Sequence, residues 1–158
     1  MKLSRVALKG LAVTTLSAAA LTVSPGIAHA TANGCTSNYQ MYFNACVTVN
    51  GQSDYVNYAS GSMTNEGSNA SWGWWRLMSC PKGVSVGSSS CREEYREPKV
   101  NVPGSSCNCA AQTKFFQPHT LNKYFNDGTQ LCGESIWHNN TTGQDKFSAR
   151  ACITIIKK

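Results

Sequence analysis

Cysteine is the residue that most constrains what this chain can fold into. There are eight cysteines, an even number, and all of them lie between positions 35 and 152. In an exported chain such a set indicates up to four disulfide bonds. Because the chain contains no Cys-x-x-Cys pair and no histidine near its closest pair, the pattern does not favour zinc, and we expect no metal or cofactor. The eight residues are Cys35, Cys46, Cys80, Cys91, Cys107, Cys109, Cys132 and Cys152.

The first 30 residues predict export. Lys2, Arg5 and Lys9 precede an apolar stretch that ends at Ala28-His29-Ala30, and small residues at these last positions are typical of a signal-peptidase site. The apolar stretch is interrupted by Thr and Ser and is shorter than the about 20 residues that a membrane span requires. We therefore expect residues 1–30 to be a signal peptide, with cleavage after Ala30. The product is then a secreted, extracellular protein that does not insert into the membrane.

The charge of the remaining chain argues against a nucleic-acid partner. The chain has 14 Lys and Arg and eight Asp and Glu, and three of the basic residues lie in the N-terminal 30 residues, which leaves a net charge of +3. No basic run is longer than Lys157-Lys158. Proteins that bind nucleic acid carry a stronger and more clustered positive charge.

The pattern after residue 30 is typical of short strands and turns. Residues 31–40 predict an extended arm held only at Cys35, and residues 41–158 predict one domain. Alternating or aromatic segments predict strands at 44–49, 54–59, 71–80, 94–102, 110–116, 131–138 and 147–156. Asn50-Gly51 predicts the first hairpin turn, and Gly73 a bulge. The predicted fold is an all-β, disulfide-stabilised antiparallel β-sandwich of about seven or eight strands, with a barrel as the related alternative.

Two strands near the ends of this domain share one pattern. Ala45-Cys46-Val47-Thr48-Val49 matches Ala151-Cys152-Ile153-Thr154-Ile155, with the branched residues of each on one face. We expect these strands to lie beside each other in one sheet and to place Val47, Val49, Ile153 and Ile155 in a common core. Adjacency would make a Cys46–Cys152 disulfide possible. Cys80 and Cys91 are the most local pair, which leaves Cys35, Cys107, Cys109 and Cys132 to pair among themselves.

Catalytic motifs are weak in this chain. Gly83-Val84-Ser85-Val86-Gly87 matches the Gly-x-Ser-x-Gly string of hydrolases, but Ser-rich sequence and Cys91 follow where that motif needs a helix. Glu93 and Glu94 are adjacent, so on a strand they point to opposite faces and do not form a catalytic pair. We expect a non-enzymatic protein with no catalytic residues.

One enzymatic alternative stays open. His119 or His138, with Glu134 or a nearby serine, could serve a small extracellular hydrolase of the ribonuclease kind. No ribonuclease motif surrounds either histidine.

Trp72, Trp74 and Trp75 are the candidate binding residues. On a strand Trp72 and Trp74 share one face and Trp75 points to the other, so three inward tryptophans are excluded. We expect one of the two faces to be core and the other to be partly open. With Arg76 beside it, an open aromatic patch favours protein binding, and glycan binding is the alternative.

The N-terminal pattern resembles that of small secreted proteins of actinobacteria. Within that set, Ala45-Cys46-Val47-Thr48-Val49-Asn50-Gly51, followed by Tyr55-Val56, resembles the small β-sandwich subunit of umbrella toxin particles. In that family the subunit is a non-enzymatic adaptor that joins a toxin-bearing polypeptide to lectin-bearing subunits. The resemblance implies a secreted protein-binding module, an adaptor subunit of an extracellular antibacterial toxin complex whose partner is another secreted protein. It does not account for Cys107 and Cys109, and it carries over no functional residue.

Overall fold

The computed structural model describes residues 30–36, 43–104 and 112–157. These residues form nine strands and no helix, in two antiparallel sheets, which confirms the predicted all-β sandwich. The strands are β1 (Ala30–Thr36), β2 (Phe43–Gln52), β3 (Tyr55–Asn65), β4 (Ser71–Cys80), β5 (Arg92–Arg96), β6 (Val100–Val102), β7 (Gln112–Tyr124), β8 (Gln130–His138) and β9 (Asp145–Thr154).

The two sheets divide the chain between them. Sheet A has the strand order β1-β2-β3-β7, and sheet B has the order β5-β4-β8-β9. The short strand β6 also pairs with β4, next to the segment that pairs with β5. Sheet A therefore has β1 and β7 as its edges, and one edge of sheet B is β9.

Every second side chain along the strands points into the space between the two sheets and forms the core. In β2 the odd positions from Phe43 to Val49 are buried and the even positions point outward. Sheet B contributes Trp75, which is 1% exposed and donates a hydrogen bond from Nε1 to the Cys46 carbonyl at 3.1 Å. The indole fits because Gly61 and Gly133 face it, and a Cβ on either glycine would overlap the ring.

The N-terminal arm is a strand instead. Each residue of Ala30–Thr36 is in register with a residue of β2, so this segment is held along its length and not only at Cys35. Residues 37–40, the rest of the predicted arm, lie outside the described residues. The β2–β3 hairpin turns at Ser53 and Asp54 rather than at Asn50-Gly51, where the register shifts instead.

Two other local predictions differ from the structure. The pairing of β4 with β8 continues without a register shift at Gly73, so this glycine is not a bulge. Its small size is needed because a Cβ would meet the Ile136 carbonyl and the Phe43 ring. The strand predicted at 94–102 is divided into β5 and β6, since the chain leaves the sheet between Arg96 and Val100.

The predicted adjacency of the Cys46 and Cys152 strands in one sheet is wrong, and the disulfide that it would have made possible is not formed. Cys46 is bonded to Cys35, its register partner on β1, and Cys152 to Cys132, its register partner on β8. The strands β2 and β9 belong to different sheets. Each carries its cysteine on the outer face, so the thiols point away from each other and reach only a neighbour in the same sheet.

The remaining expectations about these strands have mixed outcomes. The local Cys80–Cys91 disulfide is confirmed. The prediction that Cys35, Cys107, Cys109 and Cys132 pair among themselves is wrong for Cys35 and Cys132, which are bonded to Cys46 and Cys152. Cys107 and Cys109 lie outside the described residues. The shared core is confirmed, although it forms between facing sheets. Val47, Val49 and Ile155 are buried in one cluster, and Ile153 packs against it.

Candidate protein-binding surface

The outer face of sheet B carries a row of paired charges. We call Arg96, Glu93, Arg76, Glu134 and Arg150 the ion-pair row. Arg76 Nε donates to Glu134 Oε2 at 2.7 Å, and Arg150 Nε donates to Glu134 Oε1 at 2.6 Å. At the β5 end Arg96 bonds Glu93, which also pairs with Arg76. The hydrogen bond from Arg96 holds the pKa of Glu93 below its ordinary value, against the smaller effect of burial.

Glu134, the candidate partner of a catalytic histidine, is fully buried inside this row. Both of its oxygens accept hydrogen bonds from arginine, which leaves them occupied by the two flanking guanidinium groups. Arg150 also donates from Nη1 to the Val86 carbonyl at 3.0 Å, which ties the Gly/Ser loop to this face. Through these hydrogen bonds Glu134 connects its own strand β8 to the neighbouring strands β4 and β9.

The candidate histidines lie in different sheets. His138, at the end of β8, contacts Asp145 on β9, and this hydrogen bond is the largest of the effects that hold the pKa of Asp145 below its ordinary value. His119, on β7, stacks on Tyr95 with ring centroids 4.0 Å apart. Neither histidine contacts Glu134, whose two carboxylate oxygens are bonded to Arg76 and Arg150.

The Gly83–Gly87 string lies in a loop closed by the Cys80–Cys91 disulfide. Within this loop Ser88 N donates to the Ser85 carbonyl at 3.1 Å, which forms a turn. The chain then continues into β5 without a helix. The loop therefore lacks the strand-to-helix context that presents a nucleophilic serine.

The tryptophans of β4 differ in exposure. Trp75 is in the core, Trp74 is 5% exposed on the opposite face, and Trp72 is 40% exposed. Two cations cover Trp74, with Lys99 Nζ 5.0 Å and Arg96 Cζ 5.8 Å from the ring centroid. Arg76 belongs to the ion-pair row. Of the four patch residues, Trp72 is the one that presents an open aromatic surface.

The outer face of sheet A has a different chemistry. We call its outward strand residues the neutral face, and none of those in the described part of the chain carries a charge. Amide and hydroxyl side chains cover most of it; for example, the hydroxyls of Thr64 and Thr113 are 2.9 Å apart. The neutral face comprises Asn33, Cys35, Asn44, Cys46, Thr48, Asn50, Tyr58, Ser60, Ser62, Thr64, Thr113, Phe115 and Thr120.

The β7 edge of the neutral face carries an exposed aromatic side chain. Phe115 is 75% exposed and lies opposite Ser62, which in turn lies opposite Cys46 of the Cys35–Cys46 disulfide. Its neighbour Phe116 points inward and stacks on Trp75. Phe115 was not among the predicted binding residues, although two adjacent phenylalanines on one strand require one of them to face outward.

No family model, no curated protein and no solved structure matches the chain. Within the described ranges, no helix is long and apolar enough to span a membrane. In the same ranges, no group of His, Cys, Asp and Glu side chains forms a candidate metal site.

Proposed function

We propose that this chain is a secreted, non-enzymatic protein-binding module that contacts another secreted protein through the neutral face. The exposed Phe115 on β7, an edge strand of this face, is the observation that carries the proposal. Protein interfaces are depleted of charge at their centre and enriched in aromatic side chains. The neutral face has both properties, because its outward residues are uncharged and Phe115 gives it an exposed aromatic side chain.

The two faces of the sandwich support this choice of surface. The ion-pair row satisfies most charged groups of sheet B internally, so binding there would have to replace existing pairs. On the neutral face, the outward strand residues in the described part of the chain are uncharged, so burial of Phe115 removes water mainly from uncharged groups. We therefore choose sheet A over sheet B as the binding surface.

The wider role that we propose is that of an adaptor in an extracellular toxin complex. The three disulfides in the described part of the chain suit an oxidising compartment, and the predicted signal peptide supplies a route to it. The resemblance of Ala45–Gly51 to the small umbrella toxin subunit suggests the kind of assembly. In the structure these residues are part of β2, whose outward residues belong to the neutral face.

Co-purification from the culture medium tests the proposal. A tagged chain expressed from its own promoter should bring down one secreted protein in stoichiometric amount, and Phe115→Ala should abolish this. Phe147→Ala is the matched control, because Phe147 is an exposed phenylalanine on the outer face of the other sheet. A wild-type chain that purifies alone, or equal partner recovery with both variants, would contradict the proposal.

Glycan binding is a second candidate, favoured by the surroundings of Trp72. This exposed ring lies in register with His138 on one side and Asn101 on the other. An aromatic surface flanked by hydrogen-bonding groups can stack on a sugar ring and orient its hydroxyls. A glycan array probed with the wild type and with Trp72→Ala tests this, and no signal with the wild type would end it.

A further inference from the structure

The two sheets do not close completely where β1 faces the end of β9. A cavity of about 520 Å³ opens there, lined by Ala32, Val49, Val56, Ile153, Ile155 and Ile156 among others. Its volume is within the range of ligand pockets, roughly 300–1,000 Å³. Among the described residues no charged side chain lines it, and the polar lining residues are Gln52, Ser53, Tyr55 and Thr154. An uncharged, mainly apolar occupant is the one that matches it.

Small side chains on β1 leave this space. Ala32 is in register with Val49 and Gly34 with Val47, so both face the interior, where they add almost no volume. At Gly34 the sheets approach closely, since a Cβ there would be 3.1 Å from the Cys152 carbonyl. Beyond that point they diverge, and Ile156 at the rim stays 62% exposed.

The strand that borders this cavity is also an unprotected sheet edge. Edge strands usually avoid further pairing by carrying charged residues, proline or bulges. β7 has Lys114, Pro118, Lys123 and two register shifts, and β9 has Lys146 and Arg150. β1 carries no charged side chain and no proline, and it pairs with β2 without a register shift. Among the described residues, none pairs with its other edge.

We propose that the free edge of β1 and the adjoining cavity bind an extended, uncharged segment of a partner protein. The segment adds a strand to sheet A through main-chain hydrogen bonds. Its alternate apolar side chains enter the cavity that Ala32 leaves open. This deepens the proposed function, because an adaptor needs a second contact surface, and the β1 edge is separate from Phe115.

A selection with random peptides tests this site directly. A phage library of linear peptides about twelve residues long, longer than a typical strand, is selected on the disulfide-bonded protein. Enriched peptides should alternate apolar and polar residues. By calorimetry, Ala32→Trp should weaken their binding about tenfold to a hundredfold by filling the cavity. The control Ala70→Trp adds the same side chain in an exposed loop and should leave the affinity unchanged.

Two further arms keep the outcome clear. Two versions of each peptide are N-methylated, one at the odd positions and one at the even positions. Only one version should lose binding, because an added strand pairs with β1 through one of its own two edges. Ile156→Ser, at the exposed rim, should weaken binding if Ala32→Trp does not fold. A selection that enriches no peptide would overturn the proposal. Equal affinity of Ala32→Trp, Ile156→Ser and the wild type would overturn it as well, as would equal effects of the two N-methylated sets.

The failure of this site can be distinguished from the failure of the proposed function. Phe115→Ala should leave peptide affinity unchanged, because Phe115 lies on the outer face and not at the cavity. A peptide that loses affinity with Phe115→Ala and not with Ala32→Trp would place the contact on the neutral face and overturn the β1 site alone.

Discussion

Glu134 and Arg150 face each other across β8 and β9, and Arg150 Nε donates to the fully buried Glu134 carboxylate at 2.6 Å. Arg76 binds the other oxygen of the same carboxylate from β4. One buried negative charge therefore connects three strands of sheet B and, through the Val86 carbonyl, the disulfide-closed loop. Glu134 therefore adds a side-chain link to the main-chain pairing that already joins these strands.

Glu134→Gln should lower the free energy of unfolding by about 3–5 kcal/mol, because it leaves two half-buried guanidinium groups facing a neutral amide. Glu93→Gln is the matched control in the same row. Glu93 is about one-third exposed, so its loss should cost about 1 kcal/mol or less. Urea denaturation measures both free energies of unfolding. Equal losses would show that the burial of Glu134 does not determine how much its ion pairs contribute to stability.

Gly61→Ala should destabilise the fold by about 1–3 kcal/mol, because its Cβ would overlap the Trp75 indole. A double-mutant cycle with Trp75→Phe checks the cause. Phenylalanine lacks the part of the ring that the new methyl group meets, so the two changes together should cost less than their sum. Additive costs would mean that Gly61 matters for its backbone and not for the space it leaves.

Peptide mapping without reduction should find Cys35 linked to Cys46, Cys80 to Cys91 and Cys132 to Cys152. Any peptide that joins Cys46 to Cys152 would contradict the two-sheet arrangement. Replacing Cys132 and Cys152 together by alanine should lower stability by about 3 kcal/mol, as expected for a loop of this length. Chemical denaturation of the double variant measures this loss.

Glu94 predicts a loss of stability in acid. Burial opposes its ionisation, but hydrogen bonds from Lys123 and from Ser79 outweigh this and hold its pKa below the ordinary 4.5. A lowered carboxyl pKa stabilises the fold above the unfolded value, and this contribution disappears as the pH falls through the folded value. The free energy of unfolding should therefore fall below about pH 4.5, and Glu94→Gln should reduce this slope.

Lys123→Met provides the complementary measurement. Without the ammonium group, burial remains and the pKa of Glu94 should rise, which NMR titration of its side-chain carbonyl carbon would detect. An unchanged Glu94 pKa in this variant would contradict the assigned cause.

Local sequence predicted much of the strand content. The aromatic run of β4 and the alternation of β2 each follow from the two-residue repeat of a strand, which depends on neighbours in the chain. The error at Asn50-Gly51 has a local cause as well. Ser53 takes up the positive φ that the turn requires, and the extra length of β2 is absorbed as a register shift.

The candidate surface was less predictable. Trp74 and Trp75 both look like binding residues in the sequence, yet one is covered by Lys99 and Arg96 and the other fills the core. Phe115 looked like part of an ordinary apolar strand. Exposure depends on which sheet edge or loop passes over a side chain, and the residues that decide this are distant in sequence.

The sequence by itself determined the fold class, the Cys80–Cys91 link and the inward face of β2 and β9, because each depends on strand periodicity or a short loop. Only the tertiary structure decided that these two strands face each other from different sheets. That choice turns Cys46 and Cys152 away from each other and leaves Ala32 above an open cavity. The physical reason is that alternation specifies which side of a strand is apolar, whereas the partner strand is selected by packing over the whole core.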